Sequence, residues 1–78
     1  MVFENDNILY STIGKNIKKY RLAAKITQAK LCEMTGISLS YLTKLESEKC
    51  EKSISLSLLN LLANTLNVEI TEFFKECD

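Results

Sequence analysis

The sequence predicts an all-α fold, a compact bundle of five helices, on three observations. Apolar residues make up 46% of the 78-residue chain, which has no proline and two glycines, so little in it interrupts a helix. The apolar positions recur at i, i+3, i+4 spacing instead of alternating. Thr27, Ser38 and Ser55, all good N-caps, stand directly before apolar-periodic segments.

Residues 1–11 show no clear period and read as an N-terminal arm, with Phe3, Ile8, Leu9 and Tyr10 giving it apolar surface for docking. The remaining unit is 12–78. Its first helix is expected from Ser11 or Thr12 to Ala24, with Ile13, Ile17, Tyr20 and Ala24 turned inward. Thr27 caps a second helix, Gln28 to Met34, which faces Leu31 and Cys32 to the core. Gly36 stands where the chain must leave that helix, at a positive φ that glycine adopts cheaply. Ile37 plugs the corner. Ser38 caps a third helix whose buried side is Leu42 and Leu45, leaving Leu39, Ser40, Thr43 and Lys44 on its open face. Tyr41 has two readings, packing on the scaffold or leaning toward a bound backbone. After a polar loop, Ser47 to Ile54, Ser55 caps a fourth helix with Leu56, Leu59, Ala63 and Leu66 as core stripe. Leu58, Leu61 and Leu62 widen that stripe beyond the need of one small core, so part of it is expected to meet another surface. A short fifth helix, Ile70 to Glu76, brings Phe73 and Phe74. No internal repeat or low-complexity linker is read.

Size and charge bound the function. A domain this small buries only about 60% of its unfolded surface, so dimerisation is expected on size alone. No stretch approaches the roughly 18 apolar residues of a membrane span, and no signal-peptide pattern opens the sequence, so a cytoplasmic location is expected. The net charge is zero, yet it is segregated: residues 1–45 carry seven Lys/Arg and three acids, a net +4, and residues 46–78 carry three and seven, a net −4. Such a chain can present a positive face to phosphate and a different face elsewhere. There is no histidine, hence no histidine-based triad, general base or metal site, and Cys32, Cys50 and Cys77 fit no zinc or CxxC spacing. No cofactor, metal or small-molecule ligand is expected, nor an enzyme. Cys32 reads as core. Cys50 and Cys77 read as exposed, with a redox role as the alternative.

Two short helices joined by a tight turn, as in TQAKLCEMTGISLSYLTKLE from Thr27 to Glu46, form the arrangement that lays one helix in the major groove of DNA. With IGKNIKKYR at Ile13 to Arg21 and LLANTLNVEITEFF at Leu61 to Phe74, the chain resembles helix-turn-helix proteins of the Cro/CI (Xre) type, over about Ile13 to Phe74. The resemblance implies a lambda-repressor-like domain binding double-stranded DNA, and it implies roles. Gln28 would offer its N–H and side chain to a phosphate. Leu39 and Ser40 would lie deepest in the groove, Leu39 against a thymine methyl. Thr43 and Lys44 would reach base edges or flanking backbone, Lys44 best placed for guanine O6/N7. Lys49, Lys52 and Asn16 would contact phosphates. Arg21 and Glu46 match a family pair that clamps the first helix to the reading helix.

Leu58, Leu61, Leu62, Ile70, Phe73 and Phe74 are expected to form a two-fold homodimer interface, spacing two reading helices by about 34–36 Å on a palindromic operator. Phage-repressor-like and restriction–modification controller-like roles both fit. The sequence departs from the family pattern at Lys25 and Glu48, where glycines are common, and in a longer, proline-free loop after Glu46. A second hypothesis from another class is a protein-interaction module such as an antitoxin-like partner, favoured by the zero net charge and by Leu39 at the reading tip.

Overall fold

The computed structural model describes residues 3–47 and 53–76. Four α-helices, α1 (Asp6–Ala23), α2 (Gln28–Thr35), α3 (Leu39–Leu45) and α4 (Leu56–Leu66), are followed by a closing 3-10 turn, Ile70–Phe74. The expected fifth α-helix is thus a single tighter turn. Glu69 precedes it without a side-chain cap, and its segment stops too soon to propagate an α-helix.

Local chemistry explains each boundary. Thr27, Ser38 and Ser55 cap α2, α3 and α4 as expected, their hydroxyls accepting the N–H groups of Lys30, Tyr41 and Leu58 at 3.0–3.1 Å. A short block recurs after all, Ile-Ser-Leu-Ser at 37–40 and again at 54–57. In both copies the isoleucine packs against the core just before the cap, the placement of a hydrophobic staple. The start of α1 differs from expectation. Asn5 accepts the Ile8 N–H through Oδ1 at 2.9 Å and Asp6 favours the positive end of the helix, so α1 begins at Asp6 and takes up residues assigned to an arm.

Three of the four α-helices, α1, α2 and α4, are closed by left-handed residues, while α3 closes at Glu46 with φ −85°. Gly36 terminates α2 at φ 81°, its N–H bonded to the Cys32 carbonyl. Asn67 does the same after α4 at φ 58°, with the Val68 N–H returning to Ala63 O. After α1 the left-handed residue is Lys25, at φ 60°; its N–H bonds Leu22 O and that of Ile26 bonds Arg21 O. A lysine carries a Cβ into a region that disfavours it by roughly 1–2 kcal/mol, part of which the greater unfolded-state freedom of glycine offsets. Lys25→Gly is therefore expected to stabilise the domain by up to about 1 kcal/mol in urea unfolding, and a loss of stability would show that the lysine side chain holds this corner.

Ile13 and Ile17 of α1, Leu31 of α2, Leu42 of α3, Leu59, Leu62, Ala63 and Leu66 of α4, and Phe73 form one core, with Leu45 also buried. Two apolar expectations shift. Leu56, expected inside, is 72% exposed because it opens the first turn of α4, beyond the elements the helix packs on. Leu62 and Phe73, assigned to a partner surface, are fully buried in this core and have no area left for one. Ala24, at the end of α1, is exposed and not core.

The chain's last turn is fastened to α1. Asn16 is 1% exposed, and its Nδ2 donates to the carbonyls of Phe73 and Lys75 at 2.8 and 2.7 Å. Tyr20 packs edge-on to Phe73, and its hydroxyl donates to Glu72 Oε1 at 3.0 Å. Hydrogen bonds from Lys75, and then from Tyr20, hold the Glu72 carboxyl below the usual range. Asn16 therefore cannot serve as the phosphate contact expected of it: both its amide hydrogens secure the closing turn.

Candidate nucleic-acid interface

The site is built on α3, a helix of seven residues with one side locked and the other open. Leu42 and Leu45 bury its inner side. Leu39, Ser40, Thr43 and Lys44 are all exposed, and the positions i, i+1, i+4 and i+5 place them together on the opposite face. Leu39 is 51% exposed at the first helical position, an apolar side chain presented outward. Thr43 donates its hydroxyl hydrogen to Leu39 O at 2.7 Å, which leaves its oxygen as an acceptor toward solvent. Lys44 supplies the positive charge of the last turn.

What fixes this helix lies behind it. Arg21 Nε and Nη2 donate in parallel to the two carboxylate oxygens of Glu46, both at 2.8 Å, and Nη1 donates to the Ile26 carbonyl at 2.8 Å. Both side chains are more than nine-tenths buried. The hydrogen bond to Glu46 raises the Arg21 pKa further above its already high value, so the guanidinium stays charged at every working pH. Glu46 is the residue that closes α3, so the ion pair ties α1 to α3, in bidentate form.

Gln28 extends the clamp. Its Nε2 donates to Glu46 Oε1 at 3.1 Å, so the side chain expected at a phosphate is engaged inside the protein, while its backbone N–H, in the first turn of α2, has no intrahelical acceptor. Tyr41 takes the first of its two readings: half-buried on α3, it donates its hydroxyl to Ser53 O at 2.9 Å. Cys32 is half-buried; burial first, and then Glu46, pushes its thiol pKa up, which keeps it protonated and poorly nucleophilic. Lys49, Lys52, Cys50 and Cys77 lie outside the described residues, as does Glu48.

One determinant escaped the sequence reading. A methyl group on Gly14 would fall inside the backbone carbonyl of Leu45, so α1 and α3 cross here in backbone contact. The signal was present: Gly14, Ile17 and Arg21 share one stripe of α1, the stripe that meets α3.

A helix-turn-helix family model matches residues 17–73. The chain belongs to the helix-turn-helix family. Over 65 residues this helix-turn-helix chain is 34% identical to an immunity repressor protein of Bacillus phage phi105, a stretch that covers 83% of the chain and 44% of the relative. It thus spans less than half the length of that repressor. Among solved structures it is similar to the restriction-modification controller protein C.AhdI from Aeromonas hydrophila, with a TM-score of 0.73 and 26% identity, covering 83% of this chain and 96% of that one.

Proposed function

We propose that this chain is a transcriptional regulator that reads double-stranded DNA through α3, as a homodimer on a palindromic operator. The observation that carries the reading is the outward set Leu39, Ser40, Thr43 and Lys44 on a helix whose reverse side is buried and clamped. Those side chains supply apolar contact for a thymine methyl, hydroxyls that accept or donate, and one cation for guanine O6/N7. The net +4 of residues 1–45, the part of the chain that carries α1 to α3, favours phosphate as a partner. A phage immunity repressor and a restriction-modification controller as relatives support the class. The role is regulatory and non-catalytic, and the location cytoplasmic; no helix of the described residues is long and apolar enough to cross a membrane.

For the dimer, the usable apolar surface differs from the one the sequence suggested. Of the six residues expected there, Leu61 is 40% exposed and Leu58, Ile70 and Phe74 are half-buried, so these four keep area for a two-fold contact, and Leu56 on the same helix, 72% exposed, adds to them. Sedimentation at micromolar concentration distinguishes a dimer from a monomer.

The deciding experiment is an anisotropy titration on the DNA upstream of the protein's own reading frame, at two salt concentrations, with Lys44→Ala alongside. Tight binding that weakens steeply with salt is expected, and Lys44→Ala should lose about 1–3 kcal/mol on the preferred sequence. Binding indifferent to sequence, salt and Lys44 would overturn the reading. Leu39 and Leu61, both exposed, favour the second reading, an antitoxin-like module that docks on another protein; that outcome would lead to it.

A further inference from the structure

We propose that Tyr41 is a positioning residue for sequence reading: its hydroxyl, bonded to the Ser53 carbonyl, sets the N-terminal turn of α3 against the segment that leads into α4. The proposal rests on the DNA-binding reading above and adds to it the residue that orients the reading tip.

The two ends of α3 are held differently. At the C-terminal end the backbone of Leu45 lies directly against Gly14, and Glu46 is clamped by Arg21. At the N-terminal end stand two of the four reading residues, Leu39 and Ser40, both exposed. The Ser38 cap satisfies an N–H of α3 itself and so orders the turn without attaching it to the rest of the protein. Attachment comes from Ile37, half-buried against the core, from Leu42 beneath, and from Tyr41.

The Tyr41 bond spans twelve residues of sequence and lands on the carbonyl of Ser53, just ahead of α4. Ser53 is followed by Ile54, packed against the core, and by Ser55, the cap of α4. Fixing a side chain there fixes the rotation of the first turn of α3 about its own axis. That rotation decides whether Leu39 and Ser40 point at base edges or past them. Direct readout is steep in geometry, because a side chain displaced from its base edge loses the contact while phosphate contacts elsewhere persist. Tyr41 therefore acts on discrimination between sequences more than on affinity for DNA as such.

Tyr41→Phe is the test, since it keeps the ring and removes the oxygen. Two readouts are taken on the full chain: amide hydrogen exchange without DNA, and anisotropy titrations of wild type and variant on the own upstream DNA and on a scrambled duplex at two salt concentrations. The expected result is faster exchange at the Leu42 N–H, which bonds Ser38 O across the first turn, together with a ratio of specific to scrambled affinity reduced about tenfold and an unchanged salt slope. Unchanged exchange at Leu42 overturns the proposal whatever the DNA data show. Faster exchange with an unchanged affinity ratio assigns Tyr41 a purely structural role and overturns it too. An equal loss on both duplexes with a shallower salt slope would mean that the hydroxyl touches phosphate itself, again contrary to the proposal. A wild-type protein without sequence preference sinks the DNA-binding reading, and the positioning role with it, even where the exchange result stands.

Discussion

Arg21→Ala is expected to destabilise the domain by about 3–5 kcal/mol, the cost of leaving one member of a buried ion pair without its partner. The size of the effect follows from what remains. Glu46, buried at the end of α3, would be left with Gln28 as a single neutral donor, and the Ile26 carbonyl would lose the donor that now satisfies it. Two charge-assisted bonds and one bond to a carbonyl disappear together. Arg21→Lys should recover only part of the loss, because an ammonium cannot span both carboxylate oxygens and the Ile26 carbonyl in one planar fork. The comparison that isolates the pair is the double variant Arg21→Met with Glu46→Leu. Replacing both partners removes the orphaned charge, so it should be more stable than Arg21→Ala alone. Urea unfolding measures all three, with Lys75→Ala as a surface control, and a loss for Arg21→Ala no greater than that control's would show that the pair is not a clamp. The deprotonation of Arg21 cannot imitate the mutation. Its pKa is raised, so its contribution is complete below the unfolded value and would fade only as pH climbs through the folded one, beyond working conditions. A small domain has a total stability of about 5–15 kcal/mol, so the loss takes a large part of it.

The same clamp shows how far the sequence could be read. Caps and turn were legible because they depend on neighbours in sequence: Thr27, Ser38, Gly36 and Ser55 each do what their residue type does at that offset. The pairing of Arg21 with Glu46 came from family register alone, since nothing local to either residue points to the other. Burial failed where it depends on the far end of the chain. Asn16 was read as a polar surface residue, yet it shares a stripe of α1 with Ile13 and Ile17, and the closing turn that covers it arrives 57 residues later. Leu56 and Leu62 sit on overlapping stripes of α4, and which is covered depends on how far along the helix its partners extend. The open face of α3 was legible because the two buried leucines define it by exclusion. The interior use of Gln28 and the tether from Tyr41 were not, because each requires the position of a residue that only the tertiary fold supplies.

Gly14→Ala tests the deepest of those tertiary constraints. On local grounds the substitution should help, since alanine is favoured over glycine inside a helix by roughly 0.5–1 kcal/mol. Against that stands the carbonyl of Leu45, into which the new methyl would be built. Neither party is a side-chain end that can swing aside: one is the α1 backbone and the other the last residue of α3. The helices must separate, and separation disturbs Leu42, Leu45 and the bidentate geometry of Arg21 and Glu46 at once, because all of them bridge the same crossing. Overpacking of this kind costs about 1–3 kcal/mol and more where backbones must move, so the clash exceeds the propensity gain and the net effect is destabilising. Gly36→Ala provides the contrast. Its site is open, with no atom in the way of a methyl, so its cost is the left-handed backbone alone, about 1–2 kcal/mol. The two variants also part in function. A displaced α3 would present Leu39, Ser40, Thr43 and Lys44 at a changed depth, so Gly14→Ala is expected to lose DNA affinity even below its lowered melting temperature, where the protein is still folded, whereas Gly36→Ala should lose stability with a smaller effect on binding. A Gly14→Ala protein as stable as the parent would mean that α1 and α3 can part freely, and the fixed presentation of α3, on which its proposed reading role depends, would have to be abandoned.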